Sequence, residues 1–174
     1  MKTADLKGTL VRVAEQMVLA ATTAPKGRGL MFLEAAIMER DDILRLAGEM
    51  EKIGNEQNAA AFTRDAGNLR EHVQVAVLLG TRFQTLGLKY CGLCGFVNCA
   101  DNEAHSGICV FNPGDLGIAL GSAVSVAAQA HVDNRIMYTM GMAALSLQLL
   151  GPEVRLAFGI PLAATHKNPF FDRK

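Results

Sequence analysis

The chain has 174 residues, half of them hydrophobic, which is enough for one core-bearing domain and gives no reason to expect two. Lysine plus arginine numbers 17, and so does aspartate plus glutamate, so no net field draws the chain to a phosphate backbone or an anionic membrane surface. Tryptophan is absent and tyrosine occurs twice, which leaves few platforms for stacking bases; no nucleic-acid partner is expected.

Leu6, Leu10, Val13, Met17 and Ala20 recur at helical spacing and predict an amphipathic helix over residues 5–21. The stretch 10–23 ends in small residues like a secretory apolar region, but Arg12, Glu15 and Gln16 interrupt it. No later stretch reaches the ~20 apolar residues of a membrane span. A cytoplasmic location, with reduced thiols and no membrane association, is the expectation. Ala24-Pro25-Lys26-Gly27-Arg28-Gly29 then joins a proline, two glycines and two cations in a turn with exposed positive charge.

Residues 30–38 read as a strand, followed by a helix capped by Asp41 or Asp42 with Ile43, Leu46, Met50 and Ile53 facing inward. A short helix is expected within 55–67. The β-branched run 73–79 suits a central strand buried on both faces. Residues 108–111 read as briefly extended and Asn112-Pro113-Gly114-Asp115 as a turn. A small-residue helix is then expected over 116–130, and another over 135–150 with Asp133 or Asn134 as its N-cap. Residues 154–160 form the last expected strand, and 161–174 an irregular tail. His131, Asp133 and Arg135 meet at a helix junction, where a helix cap explains them more simply than proton handling.

Between the central strand and the small-residue helix lie the chain's four cysteines: Cys91, Cys94, Cys99 and Cys109. Packing as small hydrophobes gives no reason to cluster in one glycine-rich loop, whereas a tetrahedral zinc ion or an iron–sulfur cluster requires four thiolates. The spacing C-x2-C-x4-C-x9-C has only one of the two close pairs usual for structural zinc. It carries the plant-type ferredoxin intervals in reversed order, so it matches neither familiar ferredoxin signature letter for letter. Three ligands from one tight loop and a fourth from its sequel suit an iron–sulfur cluster, with [4Fe–4S] the favoured form and zinc the alternative. Gly92, Gly95 and Gly107 would admit backbone N–H groups to the sulfurs, and Leu93, Phe96 and Val97 would shield them from water. His105 is a less favoured fourth ligand for zinc, and Cys91 with Cys94 alone a redox dithiol without the usual strand-to-helix setting.

The segments Ala20–Gly29, Cys91-Gly92-Leu93-Cys94-Gly95 and His131–Tyr138 together resemble the little-characterised "ferredoxin domain-containing" proteins of anaerobic bacteria and archaea, over nearly the whole chain. That resemblance supports the four cysteines as ligands and supplies no reaction. A second resemblance is to the nitroreductase-like flavoproteins. Ala20-Ala21-Thr22-Thr23-Ala24-Pro25 is similar to their A-A-x-x-A-P-S segment, with Lys26 in place of the serine. Asp115-Leu116-Gly117-Ile118-Ala119 resembles the start of their central helix, and residues 154–161 their closing strand and G-[YI]-P turn.

This second resemblance implies an α+β fold, a mixed or antiparallel sheet packed by helices, and a homodimer with FMN at the subunit interface. The family's R-x-S phosphate anchor is not found among the residues before Ala20, so Lys26, Arg28 and Arg173 become candidate phosphate contacts. The expectation is one nitroreductase-like domain, 1–174, with an inserted cysteine loop, 90–109. It would act as an iron–sulfur redox or electron-transfer protein, alone with a redox partner protein or together with a flavin. A zinc-stabilised dimeric binding domain and an FMN-dependent reductase are the alternatives.

Overall fold

A computed structural model describes residues 6–171. In chain order these form α1 (Leu6–Thr23), a single 3-10 turn (Gly27–Gly29), β1 (Leu33–Glu39), α2 (Arg40–Glu56), α3 (Ala60–His72) and β2 (Val75–Arg82). There follow α4 (Cys99–Ala104), α5 (Phe111–Gln129), β3 (Asp133–Asn134), α6 (Tyr138–Ser146) and β4 (Val154–Ala163). The sheet order is β1-β2-β4-β3, and all three pairings are antiparallel.

The period-two geometry of β2 explains why its sequence is apolar almost throughout. Val75, Val77 and Leu79 face one core, built with Leu10, Val13 and Met17 of α1 and Leu116, Leu120 and Ala123 of α5. Ala76 and Leu78 face the other, with Ile43, Leu46 and Met50 of α2, Leu69 of α3 and Met140 of α6. A strand covered on both faces buries every side chain, and each fully buried Val or Leu contributes roughly 1.5–3 kcal/mol. The result is three layers, with helices on both faces of an antiparallel sheet.

The structure departs from the sequence reading in four places. The expected helix over 135–150 begins at Tyr138, because the Met137 N–H donates to the Gly159 carbonyl (2.8 Å) and the Gly159 N–H to the Met137 carbonyl (3.0 Å). Asp133 and Asn134 therefore pair with β4 as β3 instead of capping a helix, which covers part of the β4 edge. Asn112-Pro113-Gly114-Asp115 is the opening of α5, where proline's missing N–H costs nothing, and residues 108–110 form no strand. β4 continues through Pro161 to Ala163 before the tail, whose Phe170 is buried in the α2/α3/α6 core. Asp41 and Asp42 lie in the first turn of α2, favourable to the helix dipole, while Glu39 holds the cap position with no side-chain bond.

The body closes tightly around α6. A Cβ on Gly141 would collide with the Ala157 carbonyl, and one on Gly159 would meet Met140 Cβ at 2.5 Å, so the backbones of α6 and β4 touch where only glycine fits. That contact fixes the far side of the sheet. On the near side, the end of β2 releases the chain into the loop that carries the cysteines.

Candidate metal centre

Residues 83–110 join β2 to α5 and contain one short helix, α4. Polar ties seat the loop on the body. Asn112, buried in the first turn of α5, donates from Nδ2 to the Gln84 carbonyl (3.0 Å) and accepts the Gln84 N–H at Oδ1 (3.0 Å). Arg28 donates to the Leu86 carbonyl (2.6 Å), and Thr85 donates to Glu103. Leu86 itself is buried against the turn at Gly27, where an added Cβ would lie 2.6 Å from Leu86 Cδ1.

Within the loop, the Gly95 N–H closes a turn on the Gly92 carbonyl (3.0 Å), with Gly95 in the left-handed region at φ +86°. Asn98 caps α4: its Oδ1 accepts the Asp101 N–H (2.9 Å), and Asp101 Oδ2 accepts the Val97 N–H (3.0 Å). This reciprocal arrangement places Cys99 at the first helical position. Cys109 sits just before α5 and is buried, while Cys91, Cys94 and Cys99 are partly exposed. All four are free thiols.

The expected ligands thus lie on one short segment, yet among the described residues no three His, Cys, Asp or Glu side chains converge as a metal-binding group. A different residue reaches a sulfur. Asn102 is 1% exposed, and its Nδ2 lies 3.3 Å from Cys94 Sγ in hydrogen-bonding geometry. Its Oδ1 is buried without a hydrogen-bond partner, a condition that costs about 1–3 kcal/mol and calls for a compensating role. The Gly107 N–H is held by the Asn102 carbonyl (2.8 Å). A Cβ on Gly107 would meet Asn102 Nδ2 at 2.8 Å and Phe96 Cζ at 2.7 Å, so this glycine lets the amide reach the sulfur.

The donor set fits a four-thiolate group: four unpaired thiols, glycines beside them and an amide N–H aimed at one sulfur. Closure of the loop around a ligand would complete the site, as is usual where metal binding and local folding are coupled. The expected apolar shield is only partly present. Phe96 is half-buried and stacks on His105 at a centroid distance of 5.7 Å, but Leu93 and Val97 are 73% and 82% exposed and Tyr90 almost wholly so. With Leu88 and Phe111 these residues line an apolar cleft of about 540 Å³ beside Cys91. His105 is exposed and directs Nδ1 to the Asp101 carbonyl (2.9 Å).

The turn at 25–29 has a different use. Lys26 Nζ donates to the carbonyls of Ala21 (2.8 Å), Thr22 (2.8 Å) and Ala24 (2.6 Å), satisfying acceptors that α1 leaves open at its C-terminus. Burial lowers the Lys26 ammonium from its ordinary pKa, and the nearby Asp115 carboxylate opposes that shift. Both Asp115 oxygens accept the Gly27 N–H, at 3.1 and 2.9 Å, which binds the turn to α5. Arg28 adopts φ +55° and reaches Leu86, so Lys26 closes α1, the Gly27 N–H ties the turn to α5, and Arg28 ties it to the start of the cysteine loop. A phosphate would have to draw Lys26 from carbonyls it already satisfies, so the turn as it stands does not fit a phosphate anchor. Arg173 lies outside the described residues.

His131, at φ +56°, ends α5, and Arg135 donates to the Phe170 carbonyl (3.0 Å) with its guanidinium 5.4 Å from the Phe171 ring centroid. This junction anchors the tail. Sequence reasoning passed over Asn102 and Asn112. The Asn98-x-x-Asp101 spacing signalled a helix cap that would have turned one face of α4 inward; nothing in the sequence marked Asn102 as the residue on that face.

Similar folds define the architectural class. A nitroreductase family protein from Clostridium novyi NT superposes with TM-score 0.59 at 14% identity, over 99% of this chain and 79% of its own. An FMN-dependent nitroreductase from Clostridium difficile R20291 gives TM-score 0.56 at 12% identity, over 96% and 79%. The fold is nitroreductase-like. At the sequence level, an uncharacterized protein from Archaeoglobus fulgidus is 37% identical over 179 aligned positions, spanning 97% of this chain and 95% of the relative. Residues 105–173 match the model of a family described as uncharacterized proteins containing a ferredoxin domain. The chain belongs to that family.

Proposed function

We propose that this protein is an iron–sulfur redox protein on a nitroreductase-like body, with Cys91, Cys94, Cys99 and Cys109 as ligands. The observation that carries the reading is the segment 91–109 itself, with all four cysteines of the chain as free thiols and a buried amide N–H of Asn102 directed at Cys94 Sγ. Hydrogen bonds to ligand sulfur and restricted solvent are the means by which a protein sets the potential of such a centre. When bound, a [4Fe–4S] cluster would supply one-electron storage. The body would hold the loop through Asn112, Arg28 and Leu86, and the exposed Tyr90, Leu93 and Val97 would meet a redox partner protein.

A homodimer belongs to the same proposal. The outward side of α5 carries Gly114, Gly117 and Gly121 with open space above them and the 48% exposed Ile118, which suits close helix packing against a second copy. Two readings compete. Zinc would need only the same thiolates, and a flavin is favoured by the fold of the FMN-dependent neighbour but would have to displace the contacts of Lys26.

Serine replacement of each cysteine tests the ligand set. In protein prepared anaerobically, Cys94→Ser is expected to remove most of the bound iron, because a site losing one of four thiolates loses much of its binding free energy. Iron content undiminished in the Cys91, Cys94, Cys99 and Cys109 variants would refute the assignment.

A further inference from the structure

We infer that Asn102 is a positioning residue that raises the reduction potential of the centre by donating its side-chain N–H to the sulfur of Cys94. The inference rests on the four-thiolate iron–sulfur reading above and names the residue that tunes it. Three observations carry it. The amide lies 3.3 Å from Cys94 Sγ and is 99% removed from solvent, so water does not compete for the sulfur at that point. Its placement is fixed by two neighbours: α4 holds its backbone N–H on the Asn98 carbonyl (3.1 Å), and Gly107 both donates to its carbonyl (2.8 Å) and leaves no Cβ in the way. Its other side-chain atom, Oδ1, accepts no hydrogen bond, so no donor elsewhere holds the amide in place.

The orientation is the one a metal-bound thiolate would require. A metal-bound thiolate has no proton to donate, so only the NH2 side of the amide can face it with profit. When the cluster gains an electron, negative charge on its sulfurs grows and the N–H···S bond strengthens. The bond therefore favours the reduced form and raises the potential. Asn102 neither ligates metal nor touches a substrate; it acts through Cys94. The same asparagine borders a polar cleft of about 570 Å³ with Arg82, Thr85 and Arg155, so a change in that cleft would reach the sulfur through one side chain.

The test is a midpoint-potential titration, followed by visible absorption, of anaerobically prepared wild type, Asn102→Ala and Asn102→Asp, with iron and acid-labile sulfide measured on each sample. Asn102→Ala removes the donor, and Asn102→Asp puts a carboxylate against the sulfur. With iron retained, the ratio of reduced to oxidised protein at fixed potential is expected to fall about tenfold in Asn102→Ala, equal to about 59 mV for a one-electron couple. Asn102→Asp is expected to fall further. Unchanged midpoints with iron retained would overturn the inference and leave the iron–sulfur reading standing. Loss of iron from both variants would also overturn it, since the residue would then be required for assembly and not for tuning. Wild type without iron and sulfide would instead refute the reading on which the inference rests.

Discussion

The body and the cysteine loop of this protein are held together by different physics. In the body, β2 is buried on both faces and α6 meets β4 backbone to backbone at Gly141 and Gly159, so stability comes from apolar area and close packing. In the loop, Tyr90, Leu93 and Val97 face solvent, and order comes from a handful of polar contacts: the Asn112–Gln84 pair, the Asn98 cap and the amide at Cys94. A loop so built has little stability of its own. It has reason to gain order from a ligand, whereas the body has no such need.

The sharpest way to break this contrast is to damage the body alone. Leu78→Ala removes a fully buried side chain from the central strand and is expected to destabilise the protein by about 2–5 kcal/mol in denaturant unfolding. Iron bound per folded chain should stay as in wild type. If iron falls in proportion to stability, the two regions are one cooperative unit and the contrast fails.

Damage confined to the loop should have the opposite signature. In Gly107→Ala the new methyl presses on Phe96 and Asn102, and the cost is expected to be about 1–3 kcal/mol, felt locally. Hydrogen exchange should rise across residues 92–108 while protection of β2 is retained. Equal loss of protection in β2 would show that the loop is part of the core.

How much of this was legible beforehand follows the same division. The central buried strand expected over 73–79 is β2 at Val75–Arg82, and the inward stripe Ile43, Leu46 and Met50 is buried with Ile53 partly so, because burial on a regular element imposes a period on the sequence while strand ends carry little signal. The start of α6 was misplaced, because the Met137–Gly159 bridge is a long-range pairing that leaves no local mark. In the loop, the four cysteines announced themselves by type and spacing. The apolar residues between them did not reveal that Leu93 and Val97 point outward, since a loop has no period from which to infer a face. Lys26 and Arg28 were picked out by charge in a turn, but charge alone does not distinguish a cation waiting for phosphate from one already holding carbonyls.

The junction between the regions offers a smaller effect. Lys26→Gln weakens the bonds that close α1 and is expected to cost about 1 kcal/mol in chemical denaturation, with no change in bound metal. A variant that lost iron without losing stability would instead assign Lys26 to the site.

The smallest effect concerns pH and lies in the body. Glu51 is lowered from its ordinary pKa of 4.5, first by its hydrogen bonds from Arg70, with burial opposing. Because the folded-state pKa is depressed, the pair's contribution is complete above that ordinary value and is lost as pH falls through the folded-state pKa. The pair is more than one-third exposed, so solvent screening limits it to at most about 1 kcal/mol. Glu51→Gln should be less stable than wild type at neutral pH and converge with it in acid. A stability gap that stays constant down to pH 2 would contradict the linkage.

Whether the loop holds an iron–sulfur centre is read most simply from the iron and acid-labile sulfide content of protein purified without oxygen. A [4Fe–4S] centre in the loop gives about four iron and about four sulfide per chain, with a brown colour that bleaches on reduction. Colourless protein carrying one zinc per chain and no sulfide would contradict it.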